Sequence, residues 1–201
     1  MNEEKKFVVK EVYAILPGEG QLGEGMFYKH LWKLPIPSKV KGLISRGTHN
    51  HLQTMGNLKK GKIIDDTTSF ECISCNSSIE ITTHLLFKCK FSYSIGARCY
   101  EWYGDERVLP ADYFNHFWQH RGNINGKKTI LAWGAVWASV IWALWKHRND
   151  IKFNGVSRNL GVAMDALKHR AWTWCKANIH GFNSSLYVWS LDLANYLAQL
   201  I

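Results

Sequence analysis

Residues 72–89 read CISCNSSIEITTHLLFKC and hold three of the five cysteines in this chain. Thiolate and imidazole groups are the ligands that zinc prefers, and a structural zinc ion takes four of them in a tetrahedron. The segment contains four such side chains: Cys72, Cys75, His84 and Cys89. It therefore predicts a structural Zn²⁺ site that closes this part of the chain into one small fold.

The spacing of the last two candidate ligands restricts the local backbone. In a regular α-helix His84 and Cys89, five positions apart, would point about 140° away from each other. They can share a metal only if the helix ends or loosens between them. Four protein ligands leave no coordination position for water or substrate, which favours a structural zinc over a catalytic one. The alternative is a chance grouping of cysteines beside an ordinary histidine.

Cysteine usage and charge indicate the compartment and the kind of partner. The cysteine count is odd, and we find no export signal, so the thiols suit a reducing compartment and a metal rather than disulfides. We expect a nuclear or cytoplasmic protein with Cys99 and Cys175 buried outside the zinc site. A net charge of +9 makes an acidic partner, such as nucleic acid or an anionic membrane surface, worth testing.

Residues 130–145 read ILAWGAVWASVIWALW, a run without charged residues. A membrane-spanning helix needs about 20 such residues. This run is shorter and contains four tryptophans, so it predicts a buried core helix. The alternative is a helix that lies in a membrane interface.

Apolar periodicity predicts a mainly α-helical protein. Glycines after residue 17 indicate a loop, and the last two dozen residues are expected to pack back or fray. We predict helices over residues 7–16, 25–33, 38–49 with Ser38 as N-cap, 54–60, 91–103, 113–120, from 127 to about 150, and 159–179. The predicted organisation is an N-terminal helix and glycine loop (1–24), basic helices plus the zinc-binding segment (25–103), a loop region (104–126) and tryptophan-rich helices (127–201).

Residues 26–64 contain eight basic residues and no acidic one. The basic residues are Lys29, Lys33, Lys39, Lys41, Arg46, Lys59, Lys60 and Lys62. Such cations can follow nucleic-acid phosphates, and Tyr28, Trp32 and His49 or His51 can stack on unpaired bases. The alternative is a solvated helical face, and for Trp32 core packing is favoured over stacking.

A second candidate surface lies where basic and aromatic residues interleave, at Lys168, His169, Arg170, Trp172, Trp174 and Lys176. Helical spacing places Leu167, Ala171 and Trp174 on a buried stripe. The remaining side chains then form ordinary surface.

Several separated motifs resemble, in their order, the zinc-binding domain that follows the polymerase in plant non-LTR (LINE-type) retrotransposon polyproteins. The resemblance covers about residues 7–155. Besides the Cys-Cys-His-Cys set, it rests on Phe7, Val9, Lys10 and Tyr13, on Trp32, Pro37, Lys39, Val40 and Lys41, on Leu52, Thr54, Asn57 and Leu58, and on Trp145, Arg148, Asn149 and Phe153. It implies a module that holds RNA or DNA for a polymerase without catalysis of its own.

Four positions depart from the pattern of that family. Glycines stand at Gly42, Gly47 and Gly96, where larger residues are usual, and Lys152 replaces an apolar residue. Because glycine is a poor helix former, we expect these changes to weaken the helices and the core.

We recognise no set of catalytic residues in the sequence. Asp65 and Asp66 follow two isoleucines as in a polymerase hairpin, but too few residues precede them for the rest of a palm domain. We interpret the pair as a turn and expect no enzyme.

We therefore expect RNA or single-stranded DNA as partner, a reverse transcriptase as a second candidate partner, and no membrane. The alternative function is a structural or interaction module that docks on a reverse transcriptase or another protein, which ten tryptophans would favour. Within the zinc segment, Leu85, Leu86 and Phe87 are expected to point inward. Two roles are considered for Glu80: a hydrogen-bond partner of His84, or a residue on a helix surface. The helix surface is favoured.

Overall fold

A computed structural model describes residues 19–65, 67–122 and 124–200, with side chains described from residue 23 onward. The chain divides into two units between Lys33 and Leu34. The helix predicted over residues 7–16 lies outside the described residues.

The first unit contains helix α1 (Glu19–Lys33). It begins six residues before the predicted start at Gly25, so part of the predicted glycine loop is helical. Glycine costs a helix about 1 kcal/mol per residue but does not prevent its hydrogen bonds. Glycines alone therefore do not mark a loop, and the predicted boundary is wrong.

The second unit is built almost wholly of helices. These are α2 (Ser38–Thr48), α3 (Met55–Lys60), a π-helix (His84–Lys88), α4 (Lys90–Trp102), α5 (Tyr113–Arg121), α6 (Lys127–Asn154), α7 (Leu160–Asn178), α8 (Leu186–Leu191) and α9 (Leu193–Gln199). Helix makes up 66% of the structure, and the described residues form no strand beyond one isolated bridge between Glu71 and Ile79. The predicted mainly α fold class is confirmed.

Helix α6 is the centre of the second unit. Helices α2, α4, α5, α7 and α9 and the π-helix all pack against it. By length and composition it could cross a membrane, but 72% of its most apolar stretch is buried inside the protein. Its apolar run therefore serves as a core helix, as predicted.

Several helices begin or end at residues suited to capping. Thr54 caps α3 by accepting from the Asn57 amide, and Asn159 caps α7 in the same way. Gly155, with φ +64°, ends α6 in the left-handed conformation. The prediction for Ser38 is wrong, because Ser38 is the first helical residue and Pro37 holds the cap position without a side-chain bond.

Two of the glycines expected to weaken the core lie instead where a neighbouring side chain packs closely against the backbone. A Cβ on Gly47 would collide with the Tyr113 hydroxyl, and one on Gly96 would lie 2.5 Å from Leu109 Cδ1. Bulkier side chains from elsewhere in the chain therefore occupy the space that larger residues would have taken. Gly42 has no such neighbour.

The C-terminal residues pack back on the unit rather than fray. Trp189 on α8 and Leu193 on α9 are fully buried. The Trp102 indole donates to the Trp189 carbonyl at 3.0 Å. This contact ties α8 to α4.

Candidate metal centre

Residues 70–80 form a tight hairpin, here called the cysteine turn. The Cys72 amide donates to the Ser78 carbonyl at 2.7 Å, and the Glu80 amide donates to the Phe70 carbonyl at 2.8 Å. At its tip the amides of Cys75 and Asn76 both donate to the Cys72 carbonyl. Asn76 adopts φ +52°, a conformation that asparagine tolerates better than most residues. The turn thus brings the first two candidate ligands together.

The other two candidate ligands meet because the helix between them is widened. The Cys89 amide donates to the His84 carbonyl at 2.7 Å, which is the i to i+5 bond of a π-helix. After this one turn Cys89 is extended, so the helix both loosens and ends where the ligand spacing requires it. Leu85, Leu86 and Phe87 are at most 4% exposed, which confirms that they point inward.

The four candidate ligand atoms fit a tetrahedral ion. They all lie within 4.8 Å of one another. Cys72 Sγ lies 3.9 Å from Cys89 Sγ, and Cys75 Sγ lies 3.2 Å from His84 Nε2. With ordinary zinc bond lengths, a tetrahedron would place two sulfurs about 3.8 Å apart and a sulfur and a nitrogen about 3.6 Å apart. The cluster is therefore suitable for a metal ion.

The two buried sulfurs, of Cys72 and Cys89, together carry negative charge that a bound cation would neutralise. The hydrogen bond from Cys72 lowers the pKa of Cys89 to about 5, and the same bond raises the pKa of Cys72. Backbone amides of Phe91 and Ser92, at the start of α4, also lower the pKa of Cys89. One thiolate thus shares a proton with its neighbour, and a bound cation would replace that proton.

Glu80, the last residue of the cysteine turn, is fully buried. Its Oε1 accepts from Arg148 Nη2 at 2.6 Å, from Arg148 Nε at 3.1 Å and from the Met55 amide at 3.0 Å. Both interpretations made from the sequence, a partner of His84 and a residue on a helix surface, are wrong. Glu80 ends the hairpin instead of lying on a helix, and its carboxylate bonds to Arg148 on α6.

A second arginine reaches the cysteine turn from the loop after α6. Arg158 Nη1 donates to the Ser74 carbonyl at 3.1 Å. Arg148 belongs to a motif noted in the sequence, but its partner lies 68 positions away. No local pattern in one sequence shows that pairing.

The predicted nucleic-acid-binding residues are divided between the two units. Lys29 and Lys33 are exposed on α1 in the first unit; in the second, Lys39, Arg46, Lys60 and Lys62 are exposed, and Lys41 and Lys59 are half-buried. Burial lowers the pKa of Lys41. Lys59 Nζ lies 3.8 Å from the centre of the Phe70 ring.

The aromatic residues proposed to stack are partly accessible. Trp32 is 55% exposed, so the prediction that it packs in the core is wrong. His49 and His51 are both exposed, and Tyr28 is half-buried.

The second candidate surface, on α7, is largely used for packing. Leu167 and Ala171 are buried as predicted, whereas Trp174 is only half-buried. Lys168 Nζ donates to the Ser190 carbonyl, and the Trp172 indole donates to the Ser184 carbonyl, both at 2.9 Å. These side chains attach the segment around α8 to α7.

The aspartate pair behaves as a turn where it can be observed. Asp65 Oδ1 accepts from the amides and the hydroxyls of Thr67 and Thr68. Asp66 lies outside the described residues. The turn interpretation is confirmed for Asp65.

Comparison with known families gives a match that includes the cluster just described. Residues 7–95 match the family described as zinc-binding in reverse transcriptase. This zinc-binding match contains all four candidate ligands and ends within α4. The matched family is a zinc-binding accessory domain and not the catalytic reverse transcriptase domain. The resemblance to such a domain is thus confirmed over residues 7–95, and its zinc cofactor agrees with the Cys₃His cluster. No curated protein and no solved structure matches the chain.

Proposed function

We propose that this chain is a zinc-stabilised module that binds RNA or single-stranded DNA without catalysis and derives from a plant LINE-type retrotransposon. In this proposal Cys72, Cys75, His84 and Cys89 hold a structural Zn²⁺. All four coordination positions are then filled by protein, so the ion would stabilise the fold instead of activating water. We further propose a nuclear or cytoplasmic location and no membrane partner.

One observation carries the nucleic-acid part of the proposal. The acid-free stretch over residues 26–64 places Lys39, Arg46, Lys60 and Lys62 in solvent on the second unit. Each cation that neutralises a phosphate releases counterions, so binding of this kind weakens steeply as salt rises.

The test is a fluorescence anisotropy titration of the zinc-loaded full chain with a labelled mixed-sequence single strand. We expect binding at low salt that falls as salt is raised. Replacing the four exposed cations Lys39, Arg46, Lys60 and Lys62 with glutamine should weaken binding and flatten the salt dependence. The matched control replaces four exposed cations outside the stretch, Lys90, Arg98, Lys127 and Lys176. Equal losses in both variants would mean that only net charge matters, and no binding at low salt would refute the proposal.

The alternative is a module that docks on a reverse transcriptase or another protein and binds no nucleic acid. It is favoured by exposed apolar side chains on α8, where Tyr187 is 73% and Leu191 is 64% exposed. Surfaces of this kind often serve as protein contacts. Absence of binding in the titration at low salt would favour this alternative.

A further inference from the structure

The C-terminal half of α6 carries a partly solvent-exposed stripe beside its buried core face. The stripe consists of Trp142, Trp145, Asn149, Lys152 and Phe153, which share one helical face through spacings of three and four. Residues 132–141 of the same helix are all buried. Within the stripe Trp142, Trp145 and Asn149 are half-buried. Phe153 at its end is 72% exposed.

Positive charge accompanies both ends of this aromatic stripe. The Lys39 ammonium on α2 lies 5.3 Å from the centre of the Trp142 ring, and Lys152 is exposed beside Phe153. The stripe itself contains no acidic residue. The nearest carboxylate along the helix, Asp150, is held by Lys146 at 2.8 Å and by Asn154 at 3.1 Å.

The dimensions of the stripe suit a short run of nucleotides. Trp142 and Phe153 are eleven positions apart on α6, which is about 16 Å along the helix axis. That length corresponds to about five nucleotides of a stacked strand. Aromatic rings between cations are the arrangement by which proteins hold single strands, because bases stack on the rings while phosphates meet the charges.

We propose that the aromatic stripe binds unpaired bases of a single-stranded nucleic acid, with Trp142 and Phe153 stacking on bases and Lys39 and Lys152 contacting phosphates. This inference rests on the proposed function and adds the form of the strand and the surface that contacts its bases. A duplex is excluded as the preferred ligand because its bases already stack on one another. Two arginines flank the end of α6 and bond to the cysteine turn: Arg148 donates to Glu80, and Arg158 in the following loop donates to the Ser74 carbonyl.

The experiment compares two labelled single strands of equal length, one of mixed sequence and one abasic with the same phosphates. The zinc-loaded full chain should bind the base-bearing strand at least about tenfold more tightly. Phe153→Leu and Trp142→Leu should each lose about tenfold for that strand and nothing for the abasic one. Phe153→Tyr should retain binding, because it keeps an aromatic face.

The matched control is Tyr187→Leu on α8, which removes an aromatic ring of similar exposure, 73%, from outside the stripe and should leave both affinities unchanged. Because Phe153 is exposed, Phe153→Leu tests the inference without disturbing the core, and circular dichroism verifies the fold. Equal binding of both strands by the parent chain, or an unchanged preference in Phe153→Leu, would overturn the inference and leave the proposed function standing. Binding of neither strand would refute both, and a protein partner would then be the better occupant.

Discussion

The Glu80 carboxylate and the Arg148 guanidinium form an ion pair of 2.6 Å, with 0% and 3% of their side chains exposed. The pair joins the cysteine turn to the core helix α6. A buried pair of this kind adds little stability compared with apolar residues, but removing one partner leaves an uncompensated charge in the interior. It therefore couples the integrity of the cysteine turn to that of the helical core.

Neutralising one partner of this pair should destabilise the protein strongly. Glu80→Gln keeps an acceptor for the Met55 amide but leaves Arg148 buried without a counter-charge, so we expect a loss of about 3–5 kcal/mol in the free energy of unfolding. Urea denaturation of the zinc-loaded protein measures it. The double variant Glu80→Gln/Arg148→Met should recover most of the loss. A single variant as stable as the parent would show that the pair is not buried in solution.

Removal of zinc should unfold the cysteine turn and loosen α6 near Arg148. Cys75→Ser is expected to lose the ion and its contribution to folding, as measured by metal analysis and amide hydrogen exchange. Cys175→Ala is the matched control, since Cys175 is buried on α7 outside the cluster, and it should keep one equivalent of zinc. A Cys75→Ser protein with a full equivalent of zinc and native exchange rates would contradict the ligand assignment.

Two glycines of α2 should respond to alanine with opposite signs. A Cβ added to Gly42 would meet no other atom within 4 Å, so Gly42→Ala should stabilise the protein by about 1 kcal/mol through helix propensity. Gly47→Ala would push against Tyr113 and should cost about 1–3 kcal/mol. Thermal unfolding measures both changes.

The Tyr113 hydroxyl is buried without a hydrogen-bond partner, so it can be removed to test the origin of the Gly47 effect. In a Tyr113→Phe background Gly47→Ala should be less harmful, because the hydroxyl is the atom that the new methyl group meets first. An equal cost in both backgrounds would point to helix geometry instead.

Acid should destabilise the core through His116. Burial lowers the pKa of His116 to about 4, and the Trp137 indole donates to its Nδ1 at 3.0 Å. The unfolded chain, with an ordinary histidine pKa of about 6.5, binds the proton more readily. The contribution of neutral His116 to the free energy of unfolding is therefore complete above about pH 6.5. It is lost as the pH falls toward about 4, and the total loss is about 3 kcal/mol.

Urea unfolding at several pH values checks this titration. His116→Gln retains an acceptor for the indole and should show a flatter pH dependence than the parent. His180→Gln, at an exposed position, controls for the substitution itself and should be as stable as the parent at neutral pH. A parent profile identical to that of His116→Gln would refute the assignment.

The candidate metal centre could be predicted because its chemistry is local. Three thiols and an imidazole within one short segment identify the ligand set, and the spacing of His84 and Cys89 already requires a loosened helix. The structure meets that requirement with one π-turn. The partner of Glu80 could not be predicted, since a carboxylate in a hairpin gives no sign of which distant arginine it will meet.

Residue types and spacings by themselves determined the mainly helical class, the Cys₃His cluster and the core role of the apolar run in α6, because each depends on neighbours within a few turns of chain. Only the tertiary structure decided that Glu80 pairs with Arg148, that Tyr113 fills the space beside Gly47, and that one face of α6 is partly exposed from Trp142 onward. Those outcomes depend on which helices pack together. Packing is set by the summed burial of residues far apart in the chain, which no local pattern records.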